Sequence, residues 1–152
     1  LRDDSPGRVS LREEPARVFA ARELDRRRRQ VKRRGRHLDD LDPEERHRVR
    51  IAAKKLRYGA EFFAPLFPGK KAGKRHGAFG KALSDLQDHL GALNDIATGH
   101  ELMRDLTVEP AGATTLFAAG MTAADIEARS RKLLEAAAEA HEDLVDTKPF
   151  WR

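Results

Sequence analysis

The sequence predicts an all-α protein that folds as an antiparallel four-helix bundle. Residues that favour helices, chiefly Ala, Leu, Arg and Glu, are abundant, whereas β-branched residues are few. Apolar residues recur every three or four positions in four long segments, and Pro or Gly stands between successive segments. A chain of 152 residues is long enough to enclose the core of one domain. We therefore expect four helices joined by short loops.

The first segment of the chain is polar, and the first predicted helix is rich in arginine. Residues 1–13 are predicted to form a flexible or linker segment, and residues 14–152 to form the helical bundle. The first helix is expected from about residue 14 to residue 37. A basic stripe on it follows the spacing i, i+4, i+7, i+11 and would line one wall of a groove beside the second helix: Arg22, Arg26, Arg29 and Arg33. A solvated basic helix, partly paired with Glu23 and Asp25, explains the same pattern, and the sequence leaves both interpretations open.

The second predicted helix has a clear start and a clear apolar face. Asp42 is suited to cap it, Pro43 suits the first helical position, and Glu45 stands three residues after the cap. We expect this helix to run to about residue 64, where further prolines follow. Its predicted core face consists of Val49, Ala52, Ala53, Leu56, Ala60 and Phe63.

Four cationic side chains share another face of the second helix. At about 100° per residue, they fall within roughly 80° of one another. We call them the His47 stripe: His47, Arg50, Lys54 and Arg57. Like charges so close together destabilise an isolated helix, so the stripe suits an anion lying along it. A solvated basic face explains the same spacing, and the spacing alone leaves both interpretations open.

The rest of the chain predicts two loops, two helices and an aromatic end. The predicted elements are a basic loop at 70–77, helices at 77–106 and 115–146, and a loop at 107–114. The third helix has an apolar seam at alternating three- and four-residue spacing: Phe79, Leu83, Leu86, Leu90 and Leu93. Phe150 and Trp151 are expected to dock on the end of the bundle.

Charge is distributed unevenly along the chain. Residues 15–81 contain 21 Lys and Arg against 8 Asp and Glu, whereas residues 82–152 contain 6 against 13. Such a separation within one domain is typical of a surface that faces a polyanion. The absence of Cys excludes disulfides and thiolate metal sites, and no apolar run reaches the ~18 residues needed to cross a membrane.

Three blocks of the sequence resemble the CHAD family, the conserved histidine α-helical domain. The first is the helix segment His47-Arg48-Val49-Arg50-Ile51-Ala52-Ala53-Lys54-Lys55-Leu56-Arg57-Tyr58. The second is Leu86-Gln87-Asp88-His89-Leu90-Gly91-Ala92-Leu93-Asn94-Asp95, and the third is Lys148-Pro149-Phe150-Trp151. Their order resembles the C-terminal half of such a domain, over roughly residues 15–151.

The resemblance implies one half of a two-bundle domain whose pseudo-repeated halves face a basic groove or pore. It implies non-catalytic binding of inorganic polyphosphate, with no cofactor. Its expected partners are an N-terminal CHAD half, a CYTH-type triphosphatase domain, or a second copy that rebuilds the two-bundle arrangement as a homodimer. The expected location is the cytoplasm, including polyphosphate granules.

The resemblance and the basic stripes together nominate the residues expected to bind polyphosphate. They are His47, Arg50, Lys54, Arg57, Arg29, Arg33, Lys74 and Lys81. Asn94 and Asp95 are expected to support them, with Asp95 holding an arginine or His47 through a charge-assisted hydrogen bond. Arg suits phosphate because its guanidinium presents forked donors, whereas Lys offers a point charge.

Two other functions are weighed against polyphosphate binding. The charge would equally suit nucleic acid, but the basic face offers only Tyr58 for base stacking. A phosphohistidine or metal-dependent enzyme would need an activated nucleophile or clustered ligands. The six histidines contain no i, i+4 pair and no HExxH motif. We therefore expect no catalytic residues and no metal site.

Overall fold

The computed structural model confirms the all-α prediction. It describes residues 6–106 and 113–152, with side chains at 14–99, 101, 102 and 123–152. The four helices are α1 (Pro6–Arg34), α2 (Pro43–Phe63), α3 (Lys70–Leu106) and α4 (Ala113–Asp146). Short 3-10 turns at Leu38–Asp40 and Ala64–Leu66 connect the first three helices, and this described part contains no strand.

The helices pack in the order in which they follow one another along the chain. α1 packs against α2, α2 against α3, and α3 against α4. α4 then returns to the turn at Leu38–Asp40, next to the end of α1. The bundle is therefore closed, and each helix keeps one side for the core.

The start of α2 confirms the predicted cap. The Oδ1 atom of Asp42 accepts a hydrogen bond from the backbone N–H of Glu45 at 2.8 Å, and Pro43 begins the helix. The predicted core residues Val49, Ala53 and Leu56 are fully buried. The helix ends at Phe63, one residue before the predicted position. The cap residue, the proline and the spacing of the apolar residues are therefore sufficient to predict the position of this helix.

Two helices begin earlier than the sequence predicts. α1 begins at Pro6, earlier than the predicted start at about residue 14, while residues 1–5 lie outside the described part. α3 begins at Lys70, so the basic segment 70–77 is a helix and not a loop. Gly69 makes the turn with a φ of 109°, and its carbonyl accepts the N–H of Gly73 at 2.9 Å. Gly73 and Gly77 lie within this helix and face open space.

The end of the third predicted helix and the start of the fourth are only partly described. α4 begins at Ala113, two residues before the predicted start. Residues 107–112, which make up most of the loop predicted at 107–114, lie outside the described part. The division into a segment at 1–13 and a bundle at 14–152 therefore stays a prediction.

The C-terminal aromatic residues close one end of the core, as predicted. Phe150 and Trp151 are buried, and each ring packs edge-on against Phe79 of α3, with centroids 6.1 and 5.2 Å away. The indole N–H of Trp151 donates to the Asp25 carboxylate on α1 at 2.9 Å. The end of the chain therefore ties α1 to α3. Among the described helices, none has an apolar stretch long enough for a membrane span.

Candidate anion-binding site

The His47 stripe lies along α2 on the side next to α3. His47 and Arg50 line a small crevice between the two helices, together with Leu90 and Asn94 of α3. At the other end of the stripe, the guanidinium of Arg57 donates to the side-chain oxygen of Gln87 at 3.3 Å. At 1.5 Å of rise per residue, the stripe is about 15 Å long.

Most of this stripe has no internal counter-charge. Arg57 pairs with Glu61, one turn further along α2, at 3.2 Å. In contrast, His47, Arg50 and Lys54 have neither an ion-pair nor a side-chain hydrogen-bond partner within the described residues. The charges of Arg50 and Lys54 and the ring of His47 are therefore available to an external anion.

The part of α3 beside the stripe is polar and has small side chains. Gly80, Ser84, Gln87, Gly91 and Asn94 repeat at intervals of four and three residues, so they share one face of the helix. A Cβ atom built on Gly80 or Gly91 would meet nothing within 4 Å. We call this face the polar stripe of α3. None of these five residues is a carboxylate, although the exposed Asp88 and Asp95 flank this face, so an anion on the His47 stripe would meet hydrogen-bonding groups and open space on the near side of α3.

The predicted residues on α3 lie next to the polar stripe or within it. Lys74 and Lys81 are exposed, and Lys81 pairs with Asp85 at 3.2 Å. Asn94 shares the crevice with His47 and Arg50, which fits a supporting role. Asp95 is exposed and makes no hydrogen bond to His47 or to an arginine in the described part, so the predicted contact is absent from this structure.

The arginines of α1 do not share a hollow with the His47 stripe. Arg29 and Arg33 are exposed and line a shallow hollow formed by α1 and by Arg36, two residues beyond the end of the helix. The groove expected between the two basic stripes is therefore not present. The reason is that α1 packs against the other edge of α2, roughly 110° round the helix from the His47 stripe.

That other edge forms a second basic surface, which the sequence analysis missed. A groove of about 590 Å³ runs between α1 and α2. Its cations are Arg26, Arg27, Arg34, Arg48 and Lys55, and its remaining lining residues are Gln30, Ile51 and Ala52. We call it the α1–α2 groove. One feature of the sequence could have indicated this surface. Arg48, Ile51 and Lys55 are spaced so that an apolar residue stands between two cations on one face of α2.

Part of the α1–α2 groove is held in place by internal bonds. Arg27 donates to the backbone carbonyl oxygen of Lys55 at 2.6 Å and to Glu23 at 3.0 Å. Arg26 also pairs with Glu23, at 2.6 Å. These two guanidinium groups lower the pKa of Glu23 from 4.5 to about 2. Glu23 is therefore ionised at neutral pH and orients both arginines.

Metal-ligating side chains do not cluster in this region. Among the described side chains, no three His, Asp or Glu residues lie close enough together to hold a metal ion. His141 is the one buried histidine of the described residues: it is 7% exposed and lies against the backbone of Val31 near the end of α1. On both basic surfaces the cations outnumber the carboxylates that pair with them, so positive charge is left over to hold an anion.

Fold and surface together define an all-α bundle with basic faces along its second helix. The chain belongs to the CHAD family: the family model of the CHAD domain matches residues 2–104, more than half of the chain. The match includes the His47 block and the Leu86–Asp95 block, whereas the block at 148–151 lies outside it. No curated protein and no solved structure matches the chain significantly.

Proposed function

We propose that this protein binds inorganic polyphosphate without catalysis, along the His47 stripe and the adjoining polar stripe of α3. The observation that carries the proposal is a row of cations, including Arg50 and Lys54, that have no partner in the described part. Membership of a family linked to polyphosphate binding supports it.

The shape of the surface suits a long, featureless polyanion. A linear polyphosphate presents charge along its whole length and has no base to read, so it needs a track of cations and not an enclosed pocket. Arg50 and Arg57 can each offer forked N–H donors to phosphate oxygens, and Lys54 adds a mobile point charge. An anion beside His47 would favour its charged form, with both ring nitrogens donating.

The open side of the track leaves room for a second wall. The resemblance to one half of a two-bundle domain suggests that an N-terminal half or a second copy supplies it. In either case, polyphosphate would lie between the two basic faces, and the bundle described here would contribute α2 and α3. A cytoplasmic location, with access to polyphosphate granules, belongs to the same proposal.

A competition titration at fixed, near-physiological salt tests this function. Labelled long-chain polyphosphate is bound to the protein and challenged with duplex DNA, single-stranded RNA and short phosphates. The test variant is Arg50→Ala with Lys54→Ala. The control, Arg131→Ala with Lys132→Ala, removes the same charge from two exposed residues of α4.

The expected result is that unlabelled long-chain polyphosphate competes far better than either nucleic acid. The test variant should bind polyphosphate at least tenfold more weakly at unchanged helicity, and the control should lose no more than twofold. Equal competition by DNA or RNA would instead identify a general polyanion surface and favour nucleic-acid binding. Equal losses in the two variants would show that net charge, and not the His47 stripe, determines affinity.

A further inference from the structure

The α1–α2 groove differs from the His47 stripe in having an apolar floor. Ile51 is 40% exposed there, and Ala52 lies beside it. The cations stand round this floor on both helices, with Arg34 and Arg48 on opposite sides. A linear polyphosphate has no apolar surface, so it gains no binding free energy by covering Ile51. The exposed apolar floor therefore indicates a ligand that has an apolar part.

Several polar groups of the groove are held in fixed positions from which they can contact a ligand directly. Arg27 is fixed by its bonds to Lys55 and Glu23, and Arg34 donates to the side-chain oxygen of Gln30 at 3.2 Å. The ammonium of Lys55 has no side-chain partner in the described part of the chain. Arg48 pairs with Glu44 at 3.5 Å, but both side chains are more than half exposed, so this pair is weak and a phosphate could replace the carboxylate. One fixed guanidinium, one amide, the free ammonium of Lys55 and the weakly paired Arg48 therefore surround the same apolar surface.

We propose that the α1–α2 groove binds a nucleoside triphosphate or a ligand of closely similar chemistry. The cations Arg34, Arg48 and Lys55 would hold the phosphates, and the base or sugar would cover Ile51. Guanidinium groups stack on aromatic faces, and burial of apolar area adds to the binding free energy. The volume of about 590 Å³ is within the range of small-molecule sites.

This ligand site is separate from the proposed polyphosphate track. Arg48 and Lys55 lie on the edge of α2 that faces α1, and the His47 stripe lies on the edge next to α3. Loss of one function by mutation should therefore leave the other in place. The inference does not depend on polyphosphate being the ligand of the His47 stripe.

Isothermal titration with ATP and with tripolyphosphate, at the same salt and pH, tests the inference. Tripolyphosphate has at least as much charge as ATP but no apolar part, so a purely electrostatic surface would bind it as tightly or more tightly. In the Arg50→Gln with Lys54→Gln variant, whose His47 stripe no longer holds tripolyphosphate, we expect ATP to bind at least tenfold more tightly than tripolyphosphate. Ile51→Ser should lower ATP affinity at least fivefold and change tripolyphosphate affinity less than twofold.

Three charge variants locate the site. Arg48→Gln with Lys55→Gln should weaken ATP binding at least tenfold. Arg50→Gln with Lys54→Gln on the other edge of α2, and Arg131→Gln with Lys132→Gln on α4, should change it less than threefold. Circular dichroism checks that each variant is folded, and Ile51→Val offers a milder change should Ile51→Ser unfold the chain.

The inference is overturned by any of three results. Equal affinities of ATP and tripolyphosphate for the Arg50→Gln with Lys54→Gln variant, in which the His47 stripe no longer holds tripolyphosphate, would show that the groove reads charge alone. If Ile51→Ser leaves the affinity for ATP unchanged, ATP does not cover the apolar floor of the groove. Loss of ATP binding in the Arg50 and Lys54 variant, with retention in the Arg48 and Lys55 variant, would place ATP on the His47 stripe.

Discussion

His141 of α4 donates a hydrogen bond from Nε2 to the backbone carbonyl oxygen of Val31 in α1, across 3.0 Å. The same carbonyl accepts the N–H of Gly35, also at 3.0 Å, one turn later at the end of α1. His141 is buried, so it satisfies a carbonyl at a helix end that water does not reach freely. The contact joins the first and the last helix of the bundle.

Gly35 leaves the space that the ring of His141 fills. A Cβ atom on Gly35 would overlap the imidazole ring, which is rigid and buried. We therefore expect Gly35→Ala to destabilise the fold by about 2–4 kcal/mol, through overpacking and the loss of a buried hydrogen bond. Urea unfolding followed by circular dichroism measures the change.

A double-mutant cycle shows whether the clash with His141 is the cause. Gly35→Ala should cost at least about 1 kcal/mol less in a His141→Ala background, because the ring is then absent. Gly77→Ala is the matched control, since Gly77 is a helical glycine that faces open space. It should be neutral or stabilise by up to about 1 kcal/mol. Additive effects at Gly35 and His141 would contradict the steric explanation.

A comparison of α2 with α3 shows which helix ends can be predicted from local sequence signals. The Asp42 cap, the following proline and the apolar period place α2 to within one residue at either end. The start of α3 is missed because Gly73, Gly77 and four cations in the same segment are typical of a loop. In the structure these residues lie in a helix whose Gly73 and Gly77 face open space, and the sequence alone does not reveal that exposure.

The position of the basic surfaces depends on information that is not local. The spacing of Arg50 and Lys54 predicts that they share one side of α2, where Lys54 is exposed and Arg50 is half-buried beside α3. Which edge of α2 faces α1 depends on the handedness of the bundle, which periodicity does not fix. The prediction that the His47 stripe faces α1 is therefore wrong, because α1 packs beside the edge of α2 that carries Arg48 and Lys55.

Acid should weaken the ion pairs of Glu23 within a defined pH window. The neighbouring Arg26 and Arg27 lower the pKa of Glu23 from 4.5 to about 2. A carboxyl group whose pKa is lowered by folding contributes stability that is fully present above 4.5 and is lost as the pH falls toward about 2. We expect Glu23→Gln to destabilise the protein at pH 7 by about 1 kcal/mol or less, because the pairs are near the surface.

Comparison of wild type with Glu23→Gln over a pH series isolates this group. The gap in unfolding free energy should shrink between pH 4.5 and pH 2. The comparison matters because the pKa of Asp42 is also lowered, by the backbone N–H of Glu45, so acid weakens the α2 cap in both proteins. A gap that stays constant down to pH 2 would mean that Glu23 contributes through packing and not through its charge.

Trp151 should be a main support of the bundle end. It is 5% exposed, packs against Phe79, and donates to Asp25. Trp151→Ala should cost about 3–5 kcal/mol, because it removes a large buried ring. Trp151→Phe keeps most of the ring and loses the hydrogen bond, so it should cost about 1–2 kcal/mol. Since this is the only Trp, far-UV circular dichroism replaces fluorescence as the probe.

Asp25→Asn separates the two bonds that meet at the Asp25 carboxylate. Asn retains an oxygen that can accept the indole N–H, but it loses the ion pair with Arg152, which spans 3.1 Å. Because that pair is largely exposed, the change should cost less than about 1 kcal/mol. A loss as large as that of Trp151→Ala would show that the charge of Asp25, and not the aromatic packing, anchors the chain end.

Polyphosphate should leave the protein with its chain length unchanged. The His47 stripe offers cations and neutral groups but, within the described residues, no carboxylate cluster for a metal ion. Gel analysis of long-chain polyphosphate after prolonged incubation, together with an assay for released orthophosphate, measures this directly. Shortened chains or released phosphate that disappear in His47→Asn would contradict the proposal and indicate phosphohistidine chemistry.

The salt dependence of binding should report how many cations touch the polyphosphate. Neutralising phosphates releases counterions, so the logarithm of the association constant falls linearly with the logarithm of the salt concentration, as for nucleic acids. Removing one contacting cation should reduce the slope by about 1. Arg50→Ala with Lys54→Ala should therefore reduce it by about 2, whereas Arg131→Ala with Lys132→Ala should leave it unchanged. A slope that is the same in both variants would show that the contacts lie elsewhere, and repeating the series with Arg48→Gln and Lys55→Gln would then test whether polyphosphate uses the α1–α2 groove instead.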